Sequence, residues 1–119
     1  MYDHIGLKVK DLEASVRFYG AALAELGYVL TSRDESGAAF GPKGAPALWL
    51  AADKAAHAPV HVAFVAPDRA AVDAFHRAGL KARGRDHGAP GVREDYSPTY
   101  YAAFLIDPDG NNVEAVCHR

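Results

Sequence analysis

The first half of the chain is repeated in the second at a displacement of 57 positions. His4 falls on His61, Ile5 on Val62, Leu7 on Phe64, Asp11 on Asp68, Phe18 on Phe75 and Leu23 on Leu80. A fixed internal period implies one supersecondary unit used twice, each copy burying the same apolar pattern. Such units pair about a pseudo-twofold axis, and the expectation is that this axis brings His4 and His61 face to face across a shared cavity. Two imidazoles placed that way suggest a metal.

Each copy reads as strand, helix and three further strands. Ile5, Leu7 and Val9 alternate with His4, Gly6 and Lys8, the period-two pattern of a strand whose histidine looks away from the aliphatic set. Asp11 has the chemistry of an N-cap, and Glu13 follows in the first turn, where the helix dipole favours an anion. Leu12, Val16, Tyr19, Leu23 and Leu26 form an amphipathic stripe that Gly27 can terminate. Short strands are predicted over 28–32, 38–40 and 47–51. In the second copy, His61 stands opposite Val62 and Phe64, Asp68 caps a helix carrying Val72 and Phe75, and strands are predicted over 81–85, 100–106 and 112–117. The domain plan is module one over 1–52, a linker over 53–59 and module two over 60–119. Residues 86–99, rich in Gly and Pro and bordered by tyrosines, are expected to form a lid that orders over a ligand.

A chain of 119 residues, half of them hydrophobic, can bury a real core as one domain. A net charge of −2 and a pI near 6.3 argue against a nucleic-acid or anionic-membrane surface, and no apolar run is long enough to span a bilayer. The opening Met1-Tyr2-Asp3-His4 enters a strand pattern without a charged-then-apolar leader. The single cysteine, Cys117, permits no internal disulfide and suits a reducing compartment. The expected location is cytoplasmic.

Glu114 lies among apolar neighbours in the last predicted strand, where a carboxylate either faces solvent or has a buried partner. Together with His4 and His61 it makes the two-histidine, one-carboxylate set that leaves open positions on a divalent ion. His57, His76 and His118 read as solvated side chains, and Cys117 as a small buried apolar residue.

Three segments carry a resemblance to a known superfamily: Asp3-His4-Ile5, Val60-His61-Val62-Ala63-Phe64, and Asp107-Pro108-Asp109-Gly110-Asn111-Asn112-Val113-Glu114. Across essentially its whole length the chain resembles the vicinal oxygen chelate proteins, which include glyoxalase I, extradiol dioxygenases, fosfomycin-resistance transferases and bleomycin-resistance proteins. The resemblance implies an α+β fold of two tandem βαβββ modules curled into a partly open, eight-stranded, barrel-like sheet, usually within a homodimer. It matches the family's metal positions to His4, His61 and Glu114, for one divalent ion among Fe, Mn, Zn, Ni and Co. Glyoxalase I supplies a fourth ligand where this chain has Leu48, Trp49 or Leu50, none of which offers a ligand atom. What the resemblance implies is a metal-dependent, glyoxalase- or dioxygenase-like enzyme that chelates two neighbouring oxygens of a small oxygenated metabolite. The alternative is a non-catalytic drug-binding protein of the bleomycin-resistance type. For proton transfer the candidates are His87 and Tyr96 on the lid, then Tyr100 and Tyr101 at its root. Trp49 and Tyr101 are candidates to contact substrate. Neither nucleic acid nor membrane is expected as a partner.

Overall fold

A computed structural model describes all 119 residues. The order is β1 (Ile5–Val9), α1 (Leu12–Ala24), β2 (Val29–Arg33), β3 (Gly37–Gly41), β4 (Leu48–Ala52), β5 (His61–Val65), α2 (Arg69–Lys81), β6 (Arg85–Val92), β7 (Tyr101–Ile106) and β8 (Asn112–Cys117). This is the α+β plan of two βαβββ modules. Each module forms its own four-stranded sheet, in the orders β1-β4-β3-β2 and β5-β8-β7-β6, and no barrel closes. The repeat extends to the ladders. β1 pairs β4 in parallel as β5 pairs β8, and the other pairings are antiparallel.

Local chemistry sets the element ends. The Asp11 carboxylate accepts from the Ala14 N–H at 3.0 Å, and that of Asp68 from the Ala71 N–H at 2.8 Å, satisfying one otherwise unpaired donor at each helix start. After α1 the chain turns at Gly27 with φ +90°, a left-handed conformation that glycine adopts without Cβ strain. The second module departs from expectation over 81–99. Helix α2 runs on to Lys81, and the chain then enters the eight-residue strand β6, so half of the expected lid is sheet. Bulges near Gly88 absorb the irregular sequence there.

The two modules share one hydrophobic core that includes Phe18 and Tyr19 of α1, Val72 and Phe75 of α2, and Leu50, Leu105 and Val113 of the sheets. Phe18 is fully buried in a notch left by two glycines: a Cβ on Gly84 would lie 2.3 Å from its ring, and one on Gly79 would lie 3.3 Å from it. A polar latch joins the modules as well. The buried Asp107 carboxylate accepts from the Tyr19 hydroxyl at 2.5 Å, the Asn111 side-chain amide at 2.9 Å, and the backbone N–H groups of Asp109 at 2.9 Å and Asn111 at 2.8 Å. Asp109 in turn accepts from the Lys10 backbone N–H at 2.9 Å. The turn whose sequence carried the family resemblance thus ties β7 and β8 to α1.

His76, expected in solvent, is buried instead, with Nε2 2.9 Å from the Asp86 carboxylate. Its helix face is covered by the start of β6, which carries Asp86; the expected strand over 81–85 ended one residue short of it and left Asp86 in the lid. No helix is long and apolar enough to cross a membrane.

Candidate functional site

The β5–β8 ladder sets His61 opposite Asn112 and Ala63 opposite Glu114. Side chains of cross-strand partners project to the same side, so His61, Asn112 and Glu114 share the sheet face turned away from α2. The Glu114 side chain is almost completely buried on that face, and His61 is about half exposed. His61 Nε2 lies 3.0 Å from Glu114 Oε1, and its Nδ1 lies 2.9 Å from the Asn112 carbonyl oxygen.

The protonation pattern follows from the partners. A carbonyl oxygen only accepts, so the proton of a neutral imidazole sits on Nδ1. Nε2 then presents a lone pair to Glu114, which when ionised also only accepts. Two acceptors at 3.0 Å repel each other unless a proton or a cation stands between them. A ring nitrogen deprotonated by its second hydrogen bond and aimed beside a carboxylate is the arrangement of metal-ligating histidines. The Asn112 side-chain oxygen, next to His61, is buried with no hydrogen-bond partner, a further acceptor without a donor. The residues present fit a cation.

Tyr100 completes the carboxylate's surroundings by donating its hydroxyl to Oε2 of Glu114. Burial, reinforced by the hydrogen bond to Glu114 and that residue's charge, pushes the Tyr100 phenol up to about 12, so it remains a proton donor at neutral pH. Tyr96 and His118 pack edge-on against Tyr100 at 4.9 and 5.2 Å, and Phe104 stacks on His61 at 6.3 Å. The result is an aromatic-walled face with a buried carboxylate at its base.

Other expected site residues lie elsewhere. His4 is more than half exposed and its Nδ1 meets only the neighbouring Asp3 carboxylate, at 2.6 Å. Its distance from the group has a topological cause. His4 and Ile5 share a cavity with Val62–Val65, whereas Gly6, Leu7, Lys8 and Lys10 share another with Ala58 and Val60. β1 and β5 therefore pass in opposite directions along the seam, and their first residues stand at its opposite ends. Within one chain no three side chains of His, Cys, Asp or Glu gather closely enough to hold an ion. The pseudo-twofold separates the two histidines instead of facing them.

Tyr101 also differs from its expected role. It alternates with Tyr100 along the chain, points to α2, donates to Asp73 at 2.6 Å and lies under the Arg69 guanidinium at 4.8 Å. It does not line the face that carries Glu114. His87 sits exposed on β6, next to Asp86. Trp49 is 42% exposed on the open face of the first sheet, opposite Leu48 and Leu50. Phe104, Asn112 and Arg93 were not singled out from sequence. Period-two counting from Tyr100 reaches Phe104 and from Glu114 reaches Asn112, whereas no spacing points to Arg93.

A family model described as the Glyoxalase/Bleomycin resistance protein/Dioxygenase superfamily matches residues 2–115. Among solved structures, a glyoxalase/bleomycin resistance protein from Albidiferax ferrireducens T118 is 30% identical with TM-score 0.83, covering 98% of this chain and 97% of its own. A glyoxalase/dioxygenase from Nostoc punctiforme is 22% identical with TM-score 0.72, covering 100% of this chain and 91% of its own; that likeness concerns the fold. None of the curated proteins compared with the chain matches it. With a family match over nearly its whole length and a duplicated βαβββ fold to go with it, the chain belongs to the glyoxalase/bleomycin resistance protein/dioxygenase superfamily.

Proposed function

We propose that the protein is a metal-dependent enzyme of the glyoxalase or dioxygenase kind, acting on a small oxygenated metabolite. Its centre is built on His61 and Glu114 and completed in a homodimer by His4 of a partner subunit. The observation that carries this reading is the acceptor pair: His61 Nε2 and Glu114 Oε1 at 3.0 Å, with the imidazole proton held on the opposite nitrogen by the Asn112 carbonyl. A bound divalent ion would supply Lewis acidity toward two neighbouring oxygens of the substrate. The protein's own groups would orient and protonate. Asn112 fixes the imidazole tautomer, Tyr100 holds a proton at its hydroxyl beside Glu114, and Phe104 with Tyr96 limits access of water.

Completion by a second copy is supported by the seam. The strand directions set His4 apart from His61 within the chain, and the open face of the first sheet leaves Trp49 uncovered. Mixing tests both parts. His4→Ala and Glu114→Gln, each alone, are expected to lose stoichiometric Mn(II) or Zn(II) binding by calorimetry while remaining folded. Unfolded together and refolded as a mixture, they should regain up to one metal per heterodimer, because one of the two shared sites is then intact. Metal-free wild type that still binds small aromatic ligands would instead indicate a sequestration protein of the bleomycin-resistance type. Wild-type metal binding with no recovery on mixing would refute the shared centre.

A further inference from the structure

Arg93 is held over the same face as Glu114 without a carboxylate partner of its own. Its backbone N–H donates to the Tyr100 carbonyl at 2.7 Å, extending the β6–β7 ladder one pair beyond Val92 and Tyr101. Partners across a ladder project to one side, and Tyr100 on that side reaches Glu114. The guanidinium is fixed there by three contacts. Nη1 donates to the Gly91 carbonyl at 2.9 Å, Nη2 donates to the Ala89 carbonyl at 2.7 Å, and Cζ stands 5.3 Å over the Phe104 ring. Two glycines clear its place: a Cβ on Gly88 would lie 3.1 Å from Nη2, and one on Gly91 3.3 Å from Nη1.

A guanidinium has five N–H donors, and two of Arg93's are occupied by carbonyls. The remaining three belong to a cation already immobilised, so little side-chain entropy is lost when a ligand engages them. No salt bridge of the chain involves Arg93, so this charge is not neutralised internally. The same Phe104 ring carries the His61 imidazole on it at 6.3 Å, which places the free cation and the candidate metal residues around one aromatic side chain. An oxyanion matches the planar fork. A singly charged carboxylate matches it better than a dianion, because one cation faces a surface that already holds the Glu114 carboxylate.

We infer that Arg93 selects the substrate: it binds a carboxylate at one end of a flat or apolar molecule that crosses Phe104 toward His61 and Glu114. This deepens, and rests on, the assignment of that face as the substrate site.

Benzoate, benzamide and inorganic phosphate, titrated separately into ¹⁵N-labelled full-length protein, test the assignment. Benzoate is expected to shift the amide signals of Gly91, Arg93 and Phe104 saturably. Benzamide and phosphate should bind at least tenfold more weakly. Arg93→Met should weaken benzoate at least tenfold, with Arg93→Lys in between, while Mn(II) binding persists. Equal binding of benzoate and benzamide, tighter binding of phosphate, or an Arg93→Met protein that is folded and binds benzoate normally would each overturn it. Should Arg93→Met fail to fold, the wild type still decides. Its benzoate affinity must fall as salt rises to ~0.3 M, and a flat response overturns the assignment. The two readings fail separately. Arg93-dependent benzoate binding by a protein that takes up no metal removes only the metal centre. Normal metal binding with benzoate indifferent to Arg93 removes only this assignment.

Discussion

Tyr19→Phe isolates the latch between the modules. The phenol ring is fully buried, and phenylalanine fills the same space, so the change removes one hydroxyl and one hydrogen bond to Asp107. Asp107 keeps its other three donors, the Asn111 amide and the N–H groups of Asp109 and Asn111, so its charge is not stranded. The loss is therefore that of one buried hydrogen bond to a charged acceptor, about 2 kcal/mol. For a domain of this length that corresponds to a fall in Tm of about 8 °C. The pH dependence supplies an independent check. Burial, then the charge of Asp107 and the hydrogen bond to it, raise the Tyr19 phenol well above its ordinary value of 10.0. A group whose folded pKa is raised contributes stability that is complete below its unfolded pKa and is lost as pH climbs above that value. The wild type should lose this contribution above pH 10, and the variant has none to lose, so the stability gap between them should narrow there. Urea denaturation at pH 7 and at intervals above pH 9 measures both effects. A variant within ~0.5 kcal/mol of wild type at pH 7, or a gap that stays constant into alkali, would refute the reasoning.

Two further perturbations address the site and the core. Glu114→Gln removes the charge that helps raise Tyr100 to about 12 but leaves its burial and an amide oxygen in place of the carboxylate, so the phenol pKa should fall yet stay above 10.0. The sign for stability is that of any raised group: the wild-type contribution is full below pH 10 and disappears as pH rises through about 12, and NMR titration of ¹³C-labelled tyrosine reads the shift directly. An unchanged titration would show that Glu114 does not act on Tyr100. Gly84→Ala would set a Cβ 2.3 Å from the Phe18 ring and 2.9 Å from the Gly79 carbonyl oxygen, and overpacking of this kind costs about 1–3 kcal/mol. Gly6→Ala, which meets nothing within 4 Å, should unfold close to wild type in the same urea titration, and equal effects of the two would contradict the notch.

The repeat made the modules legible because period-two and helical patterns are local, and both copies wrote them in register. The same locality explains what could not be read. Whether His4 meets His61 depends on the relative direction of β1 and β5, strands that share no ladder, and no residue pattern encodes the direction of a partner across an open seam. His61 and Glu114, by contrast, lie on strands that do share a ladder, and its register brings them to 3.0 Å. Tyr100 and Tyr101 show the value of strict alternation: one residue of offset sends the first to Glu114 and the second to Asp73. Arg93 was invisible for a different reason. Its placement depends on two glycines, two backbone carbonyls and a phenylalanine on the neighbouring strand, and such a slot exists only once the hairpin has formed. Residues fixed by ladder register can thus be sought in sequence. A side chain held by backbone carbonyls must be sought in the folded hairpin, and it is this second kind that presents an unpaired charge to the face around Glu114.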